Sequence, residues 1–297
     1  MPKVSVLMNC YNGERYLREA IDSVYAQTFT DWEIIFIDNA STDQSATIAK
    51  SYDARLKYYN TQKTIPLYAA RNFSLQYMRG EFIAFLDVDD AWMPEKLAAQ
   101  LAIMEDYSFI YLVCSGYLLE SGNKKIITRQ VSKNARFLTF QNTLNNYIIN
   151  LSTVILRYDS ISKNKIQFET SLNLTGDYEL FMKFVHTNAA YYIAEPLILW
   201  RQHGANLSVK LIHEWPRELA ETHQRWEQEL LLSENDKIAV DKFYRKGAGL
   251  VYLYNGEYKK ARKVVKKYLF YDVKLSIIYF VAWNKLFVKG FRKLKGI

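Results

Sequence analysis

Cysteine, proline and glycine are scarce, at 2, 5 and 11 of 297 residues. The pair Cys10 and Cys114 can build neither a thiolate zinc site nor a disulfide framework, which suits a reducing compartment. So little glycine and proline excludes low-complexity linkers and fibrous repeats. Long hydrophobic runs are also missing. The longest nearly apolar stretch, Leu275 to Trp283, is too short to cross about 30 Å of hydrocarbon, and Lys285 and Lys289 block its extension. A strand pattern, Val4-Ser5-Val6-Leu7-Met8, begins almost at once and leaves no room for an export leader, so a cytoplasmic location is expected. What the chain has in quantity is hydrophobic residues, 49%, with 23 Tyr, 16 Phe and 6 Trp, enough for a sizeable core.

The net charge of +8 is unevenly spread. Residues 237–297 carry 16 Lys and Arg against Asp241, Glu257 and Asp272, a net of +13, so the remainder sums to −5. A cationic end on an acidic body points to a local phosphate-bearing partner such as anionic lipid, and away from nucleic acid as a partner.

Strand patterns at 3–8, 33–38, 56–59 and 82–86 alternate with helical patterns at about 13–26, 42–51 and 66–78. That alternation predicts an α/β fold with a mostly parallel sheet flanked by helices, whose ligands sit beyond the carboxyl ends of the strands. Polar clusters stand there: Asn9 to Gly13, Asp38 to Asp43, and Asp87-Val88-Asp89-Asp90. Less regular strands are expected at 108–118, 125–130, 152–157 and 196–201, with a helix opening near Asp177. From Leu211 the text is helical, with a Trp215, Leu219, Trp226 and Leu230 stripe and two helices joined at Asn255-Gly256.

The sharpest chemical signal is FLDVDDAWMPEKL at 85–97. Three carboxylates in four positions repel one another unless a cation lies between them, and hard oxygens suit Mg²⁺ or Mn²⁺. A solvated turn with Asp89 or Asp90 capping the helix near Pro94 is the plainer alternative.

Taken with VSVLMNCYNGERYL at 4–17, IDNASTD at 37–43 and AARN at 69–72, the cluster resembles the nucleotide-binding half of the family 2 glycosyltransferases, the inverting GT-A type. The likeness is close over 3–105 and looser to about 208, through GDYEL at 176–180 and WRQHGANLS at 200–208. It implies a GT-A domain at 1–208, divided into a nucleotide-sugar half (1–105) and an acceptor half (106–208), and a basic helical region at 209–297.

The same resemblance assigns roles. Asn9, Tyr11, Asp38, Asn39, Arg71 and Asp87 would contact the nucleotide, with Tyr11 stacking on the base. Many relatives carry Asp where Asn39 stands; the Asn39 carbonyl can accept the N3 proton of the base, and uracil and thymine both remain open. Asp89 would be the principal ligand of a divalent metal, Mn²⁺ or Mg²⁺, joined by His203. Asp177 would be the catalytic base, with Glu179 as fallback; the acid that often precedes it is replaced by Gly176. Asp177 also suits an N-cap of helix 178–185, which would keep its pKa low.

At 100° per residue Phe280, Trp283, Phe287, Phe291 and Leu294 fall within about 80°, opposite Lys274, Lys285, Lys289 and Arg292. An amphipathic helix over about 273–295 could rest on anionic lipid, or its aromatic face could pack on the protein. The combined expectation is a metal-dependent, inverting enzyme moving a sugar from a nucleotide-diphosphate sugar to a saccharide acceptor, in line with a lipid-linked oligosaccharide at the inner face of the cell membrane. A sugar nucleotidyltransferase would need a Gly-rich phosphate loop and an early Lys, both missing after the first strand. A non-catalytic nucleotide-sugar or membrane-binding protein is the other alternative, favoured by the lost acid at 176.

Overall fold

The structure of the protein, a computed structural model, describes residues 1–121, 125–129, 134–158 and 167–283. The chain divides into two compact units, Met1–His203 and a second that begins at Gly204.

In the first unit the expected alternation is present: β1 (Val4–Cys10), α1 (Glu14–Tyr25), β2 (Trp32–Asp38), α2 (Ser45–Lys50), β3 (Leu56–Asn60), α3 (Leu67–Leu75) and β4 (Phe82–Phe85). Successive strand residues serve opposite faces. Val4, Val6, Met8, Ile34 and Phe36 join Leu17, Ile21 and Val24 of α1 in one core, while Leu7, Ile35, Ile37 and Phe85 belong to another. Glu33 is buried in β2, where the Ser5 hydroxyl donates to it at 2.8 Å and the Arg79 amide at 3.2 Å, offsetting part of the lost hydration.

The unit continues with β5 (Ala91–Trp92), α4 (Lys96–Asp106), β6 (Ile110–Ser121), β7 (Lys125–Arg129), β8 (Arg136–Leu138), α5 (Phe140–Asn145), β9 (Ile155–Arg157), α6 (Gly176–Thr187) and β10 (Ala189–Gln202). The sheet runs β3-β2-β1-β4-β9-β6-β10-β5, with β7 on β6 and β8 on β10. The pairs among β1 to β4 are parallel, and β9 reverses direction between β4 and β6. The α/β fold and its parallel half are as expected, while the mainly antiparallel pairs beyond β4 make the sheet mixed as a whole.

Three expectations need correction. The 152–157 strand is split, because the Asn150 side chain accepts from the Ser152 amide and turns 151–153 into a 3₁₀ helix before β9. The last strand begins at Ala189 rather than 196 and bends where its register against β6 shifts at Pro196. Neither Asp89 nor Asp90 caps the following helix, which starts at Lys96 behind Glu95. Of the expected 125–130 strand, Gln130 lies outside the described residues.

The second unit is helical as described: α7 (Leu207–Lys210), α8 (Trp215–Glu229), α9 (Glu234–Tyr254), α10 (Tyr258–Val265) and α11 (Val273–Val281). Ser233 and Asp236 form a capping box at the start of α9, and Gly256, at φ +80°, makes the turn into α10. Leu219 and Trp226 of the expected stripe are fully buried. Leu275, Ile278 and Ala282 pack with Leu253, Ala261 and Val265, whereas Val273, Ile277, Phe280 and Trp283 stay exposed. Lys285, Phe287, Lys289, Phe291, Arg292 and Leu294 lie outside the described residues. Among the described residues no helix is long and apolar enough to cross a membrane.

Candidate active site

Parallel register aligns the carboxyl ends of three neighbouring strands: Cys10 pairs with Asp38, and Leu7 with Phe85. The clusters after β1, β2 and β4 therefore share one edge of the sheet. The first two are laced together. The Asn12 amide donates to Ser41 Oγ at 3.0 Å, Asn12 Oδ1 accepts from the Thr42 amide at 2.8 Å, and the Gly13 and Glu14 amides donate to Ser45 and Asp43, each at 3.0 Å. Asn12 and Ala40 hold positive φ of 52° and 58° within these turns. Tyr11, 55% exposed, stands clear above them as a free ring face.

Asp38 is buried and accepts from Tyr58 Oη at 2.6 Å and the Ser41 amide at 2.8 Å. Asn39 is turned inward: its Nδ2 donates to the Ile65 carbonyl at 2.8 Å, while Oδ1 accepts from the Ile65 amide at 3.0 Å and Thr61 Oγ1 at 3.1 Å. The carbonyl expected to meet the base is thus engaged in holding the 61–65 turn. Asn9 is the opposite case. Both atoms of its amide are buried with no hydrogen-bond partner among the described residues, an arrangement that carries a desolvation cost.

Carboxylate atoms of Asp87, Asp89 and Asp90 come within 4.8 Å of one another. Burial, then the charges of Asp89 and Asp87, push the Asp90 carboxyl well up; burial and Asp87 raise Asp89. The three are not equivalent. Asp90 accepts from Ser152 Oγ at 2.6 Å and from the Arg201 amide at 3.1 Å, deep in the fold, so it anchors the turn. Asp89 is partly exposed and faces His203, with Nε2 to Oδ2 at 3.2 Å; Asp87 accepts from Arg71 at 2.8 Å. Hard carboxylate oxygens in a cluster whose charges repel suit a divalent cation, and Asp89 with the facing His203 could hold one. The His203 imidazole stacks on Tyr16 at 5.3 Å, and the Arg201 guanidinium lies 5.2 Å from the same ring centre.

Asp177 differs from expectation in two ways. Thr175 is the N-cap of α6, and Asp177 lies within its first turn. Burial raises its carboxyl pKa instead of the helix end lowering it, with the Arg71 charge pulling the other way. Glu179, two residues on, points about 200° away round the helix and is buried against Lys183 at 2.8 Å. The two acids do not share a site. Gly176 has a physical reason as well, since a Cβ there would lie 2.7 Å from the Tyr68 ring.

Ser152 and Tyr68 carry no sequence signal. Ser152 sits in what looks like strand, yet its hydroxyl ties Asp90 to the Asp87 amide, 3.1 Å away. Tyr68 is buried on α3, donates to Asp177 Oδ1 at 3.3 Å and has the Arg71 guanidinium 5.3 Å from its ring centre. Burial drives His223 down to about 3, and His213 pairs with Glu214 on the surface.

Residues 5–166 match the sequence profile of Glycosyl transferase family 2. An uncharacterized glycosyltransferase of Rickettsia typhi is 32% identical over 211 residues, 69% of this chain and 65% of that protein. WfgD of Escherichia coli, a UDP-Glc:alpha-D-GlcNAc-diphosphoundecaprenol beta-1,3-glucosyltransferase, is 33% identical over 156 residues, 52% of this chain and 59% of that protein. The matches therefore span less than two thirds of either relative's length. Among solved structures, S. aureus TarS in complex with UDP-GlcNAc has a TM-score of 0.71 at 20% identity, over 90% of this chain and 80% of that one. A mannosyltransferase from Pyrobaculum calidifontis in complex with GDP-Man and Mn²⁺ gives 0.63 at 14% identity, over 96% and 82%. These two establish likeness of fold, that of the GT-A glycosyltransferases. With the profile covering more than half of the sequence and its motifs gathered on one edge of such a sheet, the chain belongs to glycosyl transferase family 2.

Proposed function

We propose that the protein moves a sugar from a UDP-sugar to a hydroxyl of an acceptor saccharide, with inversion at the anomeric carbon. The observation that carries this is the bridge across α3: Arg71 pairs with Asp87 on the diphosphate side, and Tyr68, one turn earlier, bonds Asp177. A proton acceptor and an anion-handling cluster are thus held by one helical turn. Asp177 takes the acceptor proton as its oxygen attacks the anomeric carbon, and the electron pair of the breaking bond leaves with the diphosphate. A base with a raised pKa lies nearer the range useful for proton transfer at neutral pH. A divalent cation held by Asp89 and His203 would offset the charge gathering on the leaving group. Arg71 and Asp87 orient the ribose and diphosphate, and Tyr11 offers its exposed ring to the base.

The donor and acceptor follow from likeness to WfgD, whose name gives UDP-Glc and a diphosphoundecaprenol-linked sugar. A lipid-linked acceptor in cell-surface polysaccharide assembly agrees with the exposed Ile277 and Phe280 of α11 and Trp283 just beyond it, in a stretch of sequence, 237–297, whose net charge is +13. In this reading the second unit rests on the anionic inner face of the membrane. The test is a panel of UDP-, dTDP- and GDP-sugars with Mn²⁺ and a diphosphoundecaprenol-linked GlcNAc acceptor, followed by nucleoside diphosphate release. UDP release dependent on acceptor is expected. Donor binding without release from any member of the panel would make the protein a binding module.

A further inference from the structure

We propose that Tyr68 is the positioning residue of Asp177, its ring fixing the start of α6 and its hydroxyl fixing which carboxylate oxygen works. This rests on the reading of Asp177 as base. The ring is the more rigid half of the arrangement. It is buried, stacks on Phe168 with centroids 5.6 Å apart and planes 17° from parallel, and lies so close over Gly176 that an added Cβ would stand 2.7 to 2.8 Å from three of its carbons. A side chain at residue 176 would therefore have to push the buried Tyr68 ring aside.

The hydroxyl is the directing half. Oδ1 of Asp177 accepts from Tyr68 Oη at 3.3 Å and from the Tyr178 amide at 2.9 Å, whereas Oδ2 has no hydrogen-bond partner among the described residues. Two donors on one oxygen hold the carboxylate plane and leave the other oxygen to receive the acceptor proton. The charged and titratable groups around Asp177 are Arg71 and Tyr68 from α3, Asp87 beyond β4, Tyr147 beyond α5, and Tyr178 on its own helix. Of these only Tyr68 and the Tyr178 backbone donate to it, so losing the Tyr68 hydroxyl removes one of two bonds that favour the ionised form.

The experiment uses the full chain. Asp177 is followed by the ¹³Cγ signal of labelled aspartate, assigned with Asp177→Asn, and titrated in wild type, Tyr68→Phe and Gly176→Ala. Tyr68→Phe keeps the ring and should move the titration midpoint to higher pH with little change in melting temperature; Gly176→Ala should move it likewise by displacing the ring. Unmoved midpoints in both variants overturn the proposal. The second arm measures acceptor-dependent UDP release from UDP-glucose with Mn²⁺ and the diphosphoundecaprenol-linked GlcNAc acceptor. Tyr68→Phe should lower kcat about tenfold, the effect of one hydrogen bond to a charged group, with KM for the donor unchanged. Made in an Asp177→Asn background it should cost nothing further, because a residue acting through Asp177 has nothing left to act on. An equal loss in both backgrounds would assign the hydroxyl to another partner and overturn the proposal. If Asp177→Asn retains a near-normal rate while the titration still moves in Tyr68→Phe, the base assignment fails and the Tyr68–Asp177 bond stands.

Discussion

Asn39→Asp supplies the residue that the family resemblance would place there, and in this structure it should harm the fold. In the wild type both ends of the amide are used, Nδ2 toward the Ile65 carbonyl at 2.8 Å and Oδ1 toward Thr61 and the Ile65 amide. A carboxylate keeps the Oδ1 bonds but turns a donor into an acceptor facing another acceptor. The position is only 7% exposed, and the neighbouring Asp38 is 1% exposed, so solvent can do little to screen the new charge. An unpaired buried acceptor costs about 1–3 kcal/mol. In a unit of this size that is a fall in melting temperature of about 2–4 °C per kcal/mol, so about 4–8 °C for a loss near 2 kcal/mol. Burial and the Asp38 charge would raise the new carboxyl's pKa in the folded state. The destabilisation is then complete above that raised value and fades as pH falls toward the unfolded value of about 3.9. Melting curves of both proteins from pH 4 to 8 are the assay. Equal melting temperatures throughout, together with tighter UDP binding by the variant, would return Asn39 to reading the base.

Asp89→Asn should raise the melting temperature of the metal-free protein, because it relieves repulsion with the buried Asp90, and should abolish the upward shift that millimolar Mn²⁺ gives the wild type; an undiminished Mn²⁺ shift in a thermal melt would remove Asp89 as the ligand. Asn9→Leu should stabilise the ligand-free fold, since an unpaired buried amide is replaced by carbon, yet weaken UDP binding measured by calorimetry; unchanged binding would take Asn9 out of the nucleotide site. Ile277→Ser with Phe280→Ser should greatly reduce flotation with anionic vesicles while UDP binding is kept, and equal flotation would dismiss the lipid contact. Point changes serve better than deleting the helix, because Leu275 and Ile278 close the core of their own unit.

The β-α alternation was legible because strand and helix periods differ sharply and each core face is filled by alternate residues, as Val6 and Leu7 illustrate. The acid cluster and Asp177 stood out through charge density and family spacing. What stayed hidden depends on contacts across long stretches of sequence. The inward turn of Asn39 is settled by Ile65, 26 residues away, and the anchoring of Asp90 by Ser152, 62 residues away. Local pattern also misjudged Asp177. An Asp at a helix start suggests a cap with a low pKa, but Thr175 takes the cap, and burial outweighs both the helix end and Arg71.

Whether Asp177 accepts the proton of the attacking hydroxyl is decided by Asp177→Asn. The amide preserves shape and can keep the Tyr68 and Tyr178 bonds through its carbonyl, but it cannot take a proton. Single-turnover sugar transfer, with the donor returned by the panel at saturating Mn²⁺, should fall by about 10²–10⁴-fold. Calorimetric affinity for UDP should stay at the wild-type value. Transfer within about threefold of wild type would contradict the account and place the base elsewhere.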